Sequence, residues 1–365
     1  MSENMKINLR GPMATYLGYG HCCFNVAKSL DLLGHDISYF KVGQPQLTSN
    51  DNDDVSLINK WLQNAQLPDF YAPFLNVWHE FLTAERVGGG PYNLLTFFES
   101  DTMDDLRKAH LRFPDRVIVA SQWAKQVLIN NDINQDVQVC PMGVDSTLFK
   151  PCPQKDDGVT TFINVGKKEY RKGHDVLIKA FNLAFEKTDN VALKMIWNNP
   201  LLTKDEGDQW STLYKNSKLA EKVELLDGGV MTDSMYAQQL ASADCAVFPT
   251  RSEGFGMPIL QAMSCGLPVI VTNYSAPTEF CDQTNTMLID VDEKETAYDG
   301  KFFFGTGQWA KYRDSQMEQL VTYLRCVHKD IQSYRDSFGE KARQTAQNLS
   351  WERTGKRLVE IMDYD

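Results

Sequence analysis

The chain has 365 residues, 42% of them hydrophobic and 23% charged, a composition typical of a globular enzyme with two domains. Its formal net charge of −11 argues against a protein that binds long nucleic-acid duplexes, because phosphate binding depends on clustered lysine and arginine. No apolar run approaches the roughly 20 residues of a membrane span, and the N-terminal segment does not resemble a signal peptide. We therefore expect a cytoplasmic protein.

In the first half, short apolar runs alternate with helical patterns, as in βαβ units with parallel sheets. A strand is predicted at residues 5–9, followed by a glycine-bearing turn at 16–20 and a helix that ends near Gly34. A strand, a glycine loop and a helix form an arrangement suited to phosphate. The polar stretch 50–67 is predicted to be a solvated insertion. Further strands are predicted at 37–42, 92–97, 116–120 and 137–140.

Residues 149–158 break this pattern with two prolines, mixed charges and a glycine, as interdomain linkers do. We place a domain boundary between residues 152 and 153. The alternation then resumes, which predicts an α/β protein with two doubly wound parallel sheets. In the second half a helix is predicted at 175–186, and strands are predicted at 160–166, 193–197, 223–226, 245–249, 269–272 and 287–289.

The strongest chemical pattern lies in residues 248–269. A predicted strand ends, Glu253 and two glycines form a turn, and a helix begins with Pro258 near its first position. Gly254 and Gly256 can bring bare backbone amides close to a ligand, and the helix start offers N–H donors and a positive dipole end to phosphate. Glu253 would then accept hydrogen bonds from sugar hydroxyls. The alternative is that Glu253 caps the helix and the glycines form only a tight turn.

A basic segment at residues 165–174 lies between a predicted strand and a predicted helix. Ligands bind at the carboxyl edge of such parallel sheets. Lys167 and Lys172 could neutralise a diphosphate leaving group, which is an electrostatic contribution to catalysis. The alternative is a solvated charged loop.

These motifs resemble glycosyltransferase family 4, the group 1 glycosyl transferases, which have the GT-B fold of two facing Rossmann-like domains. Residues 253–256 (EGFG) and the later CGLPV sequence match one family motif, and residues 165–173 resemble its phosphate-binding stretch. Residues 139–151 resemble its hinge signature, and residues 350–352 (SWE) resemble the start of its closing helix. The resemblance implies an acceptor domain at 1–152, a nucleotide-sugar donor domain at 153–340, and a C-terminal helix at 341–365 that packs on the N-terminal domain.

The resemblance also implies roles for individual residues. Glu253 would lie beside the donor sugar as a catalytic residue. Many relatives have a histidine after a strand of the first domain, and here Glu99 is the matching polar group and the second catalytic candidate. The remaining candidates would bind the donor through backbone amides, cationic side chains or close glycine contacts. They are Lys167, Lys172, Gly254, Phe255, Gly256, Met257, Gln261, Gly18 and Gly20.

Two of these positions depart from the family pattern. The second motif glutamate is replaced by Gln261, whose amide can bond a ribose hydroxyl but without a charge-assisted contact. The usual arginine after the strand glycine is Lys167, which keeps the charge but loses bidentate geometry.

The resemblance predicts a retaining hexosyl- or related glycosyltransferase that moves a sugar from a nucleotide-diphosphate sugar to an acceptor hydroxyl, by default on a glycan. No metal-ligand spacing is present, so we expect a metal-independent enzyme without a cofactor, in which the nucleotide sugar is the co-substrate. A modified nucleic-acid base stays open as an acceptor, and peripheral membrane contact also stays open, although nothing in the sequence indicates it. The alternatives are a catalytically dead GT-B binding or regulatory protein and a GT-B epimerase.

Overall fold

The computed structural model describes residues 4–49, 51–153, 157–226 and 231–363. They form two compact units. The first comprises the described residues of Met1–Asp145 and Leu349–Asp365, and the second those of Ser146–Asn348. Residues 154–156 of the predicted linker lie outside the described residues.

The first unit is built on a six-stranded sheet in which all neighbouring strands are parallel. The strands are β1 (Lys6–Gly11), β2 (Asp36–Lys41), β3 (Phe74–Val77), β4 (Tyr92–Thr96), β5 (Arg116–Val119) and β6 (Asp136–Val139). The helices of this part are α1 (Gly18–Leu32), α2 (Asn52–Asn64), α3 (Asp105–His110) and α4 (Gln122–Asn130). The order is β2-β1-β3-β4-β5-β6, and β3 and β4 are buried along their whole length, as expected of a covered parallel sheet.

The second unit contains another six-stranded parallel sheet and a separate two-stranded hairpin. The sheet strands are β7 (Thr160–Gly166), β8 (Val191–Trp197), β9 (Val223–Leu226), β10 (Cys245–Phe248), β11 (Val269–Thr272) and β12 (Met287–Ile289), and the antiparallel hairpin is β13 (Lys294–Tyr298) with β14 (Phe304–Ala310). The helices are α5 (His174–Ala184), α6 (Lys204–Lys215), α7 (Asp233–Ala241), α8 (Met257–Ser264), α9 (Asp314–Lys329), α10 (Ile331–Tyr334) and α11 (Glu340–Gln347).

The strand order of the second sheet, β12-β11-β10-β7-β8-β9, sets the position of the site. From β7, the next strands along the chain, β8 and β9, extend the sheet toward one edge. From β10, the next strands, β11 and β12, extend it toward the other edge. The neighbours β7 and β10 therefore form a topological switch point, which is where ligands bind at the carboxyl edge of such sheets.

The end of the chain returns to the first unit as α12 (Trp351–Met362). Ser350 caps this helix by accepting a hydrogen bond from the Arg353 N–H. The Thr354 hydroxyl donates to the Pro141 carbonyl over 2.9 Å, and α12 packs against α1. At Gly355 a side chain would lie 2.7 Å from the Ser29 hydroxyl, so this helix crossing depends on a residue without a Cβ.

The strands predicted from the sequence are confirmed within one or two residues at each end. The prediction of a solvated insertion at residues 50–67 is wrong. Asn50 lies outside the described residues, but α2 begins after Asp51, which accepts a hydrogen bond from the Asp53 N–H. Trp61 on this helix is fully buried, and its indole N–H donates to Asp31 over 3.0 Å. The polar composition of the segment is that of an amphipathic helix whose few apolar side chains face inward.

Neither β3 nor the β13–β14 hairpin was predicted from the sequence. The four residues of β3 are too few to show a period. Gly305 and Gly307 lie within β14, which weakens its strand pattern.

Two glycines in the first turn of α1 differ in how closely other atoms approach them. A Cβ at Gly20 would lie 2.0 Å from the Ala14 carbonyl oxygen, whereas a Cβ at Gly18 would meet no atom within 4 Å. We expect Gly20→Ala to lower the free energy of unfolding by about 2 kcal/mol or more. Gly18→Ala is the matched control and should leave stability unchanged or raise it by up to about 1 kcal/mol. Urea unfolding followed by circular dichroism measures both, and equal losses would contradict the packing argument.

Candidate functional site

Two segments meet at the switch point of the second sheet. We call residues 167–173 the β7 turn and residues 249–256 the β10 loop. Gly173 has a φ of +69°, and a Cβ there would lie 1.9 Å from the Pro249 carbonyl oxygen, so the approach of the two backbones requires glycine. The Arg251 N–H also donates to the Arg171 carbonyl over 2.7 Å. The side chains of both segments are therefore presented together.

Four charged side chains from these segments form a buried cluster. The Lys172 ammonium donates to both carboxylate oxygens of Glu253, over 2.7 and 2.9 Å. The Arg171 guanidinium donates to Glu253 over 3.2 Å and to Glu169 over 2.8 Å. Each of the four residues is at most 9% exposed. Two cations and two carboxylates balance, which is how charges persist in a buried position.

The cations also control ionisation within this cluster. Burial alone would raise the pKa of the Glu169 carboxyl, but the neighbouring charges of Arg171, Lys167 and Lys172 hold that pKa below its ordinary value. Glu169 therefore stays ionised near neutral pH.

The sequence placed Lys172 and Glu253 in one site but did not show that they contact each other. Lys167 lies at the edge of the cluster, with its ammonium 3.9 Å from a Glu169 oxygen and its side chain 35% exposed. It is the more accessible of the two predicted cations. Arg171 was missed, and the only sequence signal for it was its place in a charge run between a strand and a helix.

The turn into α8 depends on a glycine in a left-handed conformation. Gly256 precedes the helix with a φ of +95°, and Pro258 is in the first turn. The Phe255 side chain is buried beside Phe280, with ring centroids 5.1 Å apart, so this residue is anchored in the core. The start of α8, at Met257, is thus fixed at the carboxyl edge of the sheet and follows closely after Gly254.

Ser275 supports this loop and was not anticipated. Its hydroxyl accepts a hydrogen bond from the Glu253 N–H over 2.8 Å and donates to the Tyr274 carbonyl over 2.7 Å. Ser275 has a φ of +62°, a conformation that non-glycine residues seldom adopt and that is concentrated at functional sites. The backbone of Glu253 is therefore held by a residue in a strained conformation.

Gln261 lies within α8 and is buried. Its side-chain oxygen accepts a hydrogen bond from the Tyr236 hydroxyl over 2.8 Å, and Tyr236 itself packs edge-on against Phe149. With the oxygen engaged in this way, the amide NH₂ group is the part of Gln261 that can bind a ligand.

Three candidates lie in the first unit. Gly18 is exposed at the start of α1, whereas Gly20 is buried against Ala14, so packing explains the glycine at that position. Glu99 follows β4 near a second carboxyl, Glu80, whose pKa is raised by burial and further by the Glu99 charge, against the lowering effect of Arg107. Glu99 thus lies at the carboxyl edge of the first sheet, within electrostatic range of Glu80, which is itself ion-paired with Arg107 over 2.7 Å.

The buried side chain of His174 anchors the β7 turn through a hydrogen bond. The Nε2–H of His174 donates to the Lys167 carbonyl over 2.7 Å, and Nδ1 has no hydrogen-bond partner among the described residues. Protonation would place a second N–H in a fully buried position without an acceptor. Burial, followed by the nearby Lys172 charge, accordingly lowers the pKa of His174 to about 4.

Comparison with known proteins identifies similar glycosyl transferases. Residues 145–300 match the family model for Glycosyl transferases group 1. Over 236 residues the chain is 27% identical to the D-inositol 3-phosphate glycosyltransferase of Pseudarthrobacter chlorophenolicus, in a match that covers 61% of this chain and 49% of that protein. The chain therefore spans about half the length of this curated relative.

Solved structures share the fold over almost the whole chain. Sucrose-phosphate synthase from Thermosynechococcus elongatus aligns with a TM-score of 0.71 at 14% identity, covering 98% of both chains. Anabaena HepE, solved in complex with UDP and glucose, aligns with a TM-score of 0.69 at 16% identity, covering 98% of this chain and 99% of that one. The predicted GT-B fold and the resemblance to group 1 glycosyl transferases are confirmed.

The buried His174 predicts a specific pH dependence of stability. Its pKa in the folded state is about 4, below the unfolded value of about 6.5, so its stabilising contribution is complete above pH 6.5 and is lost as the pH falls toward 4. We expect wild type to lose about 3 kcal/mol more than His174→Gln between pH 7 and pH 4. The glutamine can keep the hydrogen bond to Lys167 but does not titrate. Urea unfolding at a series of pH values measures the difference, and parallel profiles would show that His174 contributes nothing.

Proposed function

We propose that this chain is a retaining glycosyltransferase that moves a sugar from a nucleotide-diphosphate sugar to an acceptor hydroxyl. The observation that carries the proposal is the buried contact of Lys172 and Arg171 with Glu253 at the switch point of the second sheet. The family match over residues 145–300 and the GT-B fold support it.

The second unit would bind the donor. The diphosphate would lie between Lys172, the more accessible Lys167 and the start of α8, where positive charge and backbone N–H groups favour anions. Glu253 would accept hydrogen bonds from the sugar hydroxyls. In the free protein Lys172 and Glu253 satisfy each other, and the donor would take over part of both contacts, because it brings negative charge to the lysine and hydroxyl donors to the carboxylate.

The nucleotide would extend toward Gln261. Its NH₂ group can donate to a ribose hydroxyl, whereas a glutamate there could only accept. HepE has been solved with UDP-glucose, which makes uridine a natural first base to test, beside guanosine, adenosine and thymidine.

The first unit would bind the acceptor, and Glu99 there is the second candidate catalytic residue. A glycan hydroxyl is the proposed acceptor. The similarity to a D-inositol 3-phosphate glycosyltransferase adds a phosphorylated cyclic polyol to the acceptors that deserve testing.

Transfer would occur on one face of the sugar without a metal or a cofactor. The acceptor oxygen forms a bond to the anomeric carbon as the bond from that carbon to the diphosphate oxygen breaks, and the acceptor proton passes to the diphosphate. Lys172 and Arg171 offset the charge that develops on the leaving group. Glu253 is held by both cations and accepts hydrogen bonds in this scheme; it does not attack the sugar.

No helix in the described parts of the chain combines the length and the hydrophobicity that a membrane span needs. The cytoplasmic location stays a prediction of the sequence, and fractionation of cells that express the full chain would test it.

Two substitutions separate the phosphate contact from the sugar contact. Lys172→Met should weaken binding of the free nucleoside diphosphate and of the nucleotide sugar alike, by roughly 100-fold, because a charge-assisted contact is lost. Glu253→Gln should leave nucleoside diphosphate binding within a few fold but lower the turnover number by about 100-fold or more. The measurements are calorimetric titration and product analysis with UDP-, GDP-, ADP- and dTDP-sugars, in the presence of a metal chelator.

The exposed ion pair between Lys218 and Glu186, 2.6 Å long and in the same unit, provides matched controls. Lys218→Met and Glu186→Gln should leave binding and turnover unchanged. If wild type binds none of the nucleotide sugars, the proposed function is wrong. If it binds one but transfers or hydrolyses nothing, the chain is a binding protein with a dead transferase fold.

A further inference from the structure

Arg251 makes directed side-chain contacts with several segments around the site. It lies on the β10 loop two residues before Glu253, and it is 3% exposed. Its two terminal nitrogens donate to the two carboxylate oxygens of Asp175, each over 2.8 Å, and one of them also donates to the Tyr170 carbonyl over 2.8 Å. Its Nε donates to Glu295 over 2.8 Å. The planar guanidinium thus satisfies three separate acceptors with fixed directions.

The Arg251 side chain is also packed and permanently charged. Its guanidinium lies 3.6 Å from the centroid of the Tyr170 ring. Burial alone would lower the pKa of Arg251, but the carboxylates of Asp175 and Glu295 hold that pKa above its ordinary value.

The backbone of Arg251 adds two further connections. Its N–H donates to the Arg171 carbonyl in the β7 turn, and its carbonyl accepts a hydrogen bond from the Ala310 N–H over 2.9 Å. Ala310 is the last residue of β14, and Glu295 is on β13. One residue therefore joins the β7 turn, the β10 loop and the β13–β14 hairpin.

These contacts lie close in sequence to the groups that carry charge in the site. Tyr170 is two residues before Lys172, and Asp175 is in the first turn of the helix that follows it. A displacement of Arg251 would therefore change the position of Lys172 relative to Glu253. The hairpin is held at its other end by Lys301, which donates to Glu206 over 2.7 and 2.6 Å.

We infer that Arg251 is a positioning residue that sets the distance between Lys172 and Glu253 and transmits the position of the β13–β14 hairpin to them. One consequence of this inference, that the hairpin controls the affinity for the donor, rests on the proposed function. The coupling among the three segments can be tested without any donor.

The first measurement is hydrogen–deuterium exchange of the free protein, comparing wild type with Arg251→Lys. Lysine keeps the charge but cannot contact Asp175 and Glu295 at once. We expect faster exchange in residues 167–173, 252–257 and 304–310. Arg335→Lys is the matched control, because Arg335 pairs with Asp244 in a partly buried position of the same unit. It should leave exchange in all three ranges unchanged.

The second measurement is titration with UDP, GDP, ADP and dTDP and their sugars. For the nucleotide that wild type binds, Arg251→Lys should weaken binding roughly tenfold, and Arg335→Lys should not. Glu295→Gln keeps the loop contacts to Asp175 and Tyr170 and weakens only the link to the hairpin. It should therefore speed exchange in residues 304–310 and weaken nucleotide binding less than Arg251→Lys does.

The outcomes distinguish the two proposals. If wild type binds no nucleotide, the proposed function fails, but exchange still decides the role of Arg251. If exchange in the three ranges does not respond to Arg251→Lys, or responds equally to Arg335→Lys, the positioning role is wrong. If exchange responds and nucleotide affinity does not, Arg251 is structural only and the inference is overturned.

Discussion

The close approach of the β7 turn to the β10 loop is the constraint on which the site depends. The Gly173 backbone lies so near the Pro249 carbonyl that no side chain fits between them. This contact brings together residues about eighty positions apart in the sequence, since Lys172 and Glu253 then meet across the same gap. Without it, the cations and the carboxylate would lie on separate exposed loops, where ion pairs contribute little.

The buried cluster at this contact is not an efficient way to stabilise a fold. Replacing a buried ion pair by packed apolar side chains is commonly neutral or stabilising, by about 1–4 kcal/mol. Each of its four charged groups nevertheless contacts a group of opposite charge, and the Glu253 backbone is held by a serine in a strained conformation. Charges that are already desolvated and oriented need little reorganisation when a charged ligand arrives, which is the arrangement that electrostatic catalysis favours. The energetic cost is therefore better explained by ligand chemistry than by stability.

The two sheets show where sequence patterns are sufficient and where they are not. Strands such as β7 and β8 are evident because most of their residues are apolar or β-branched, and in β8 buried and half-buried positions alternate as in a regular strand. The stretch that contains α2 was misread because its polar residues outnumber the few that are buried, and Trp61 is buried through contacts with residues far away in the chain. The hairpin was not predicted because the glycines within β14 interrupt the alternation of apolar and polar residues that is typical of strands.

For the site, the sequence by itself determined the types of residue and their local settings: a carboxylate and two glycines before a helix, cations after a strand, and glycines where the backbone takes positive φ. These features depend on neighbours within one turn, so motif and spacing are enough to predict them. Only the tertiary structure decided which charges pair. Arg171 and Lys172 face Glu253, Lys167 stays at the edge, and Arg251 joins three segments. Such pairings depend on strand order and on backbone distances between residues remote in the chain, and no local pattern encodes them.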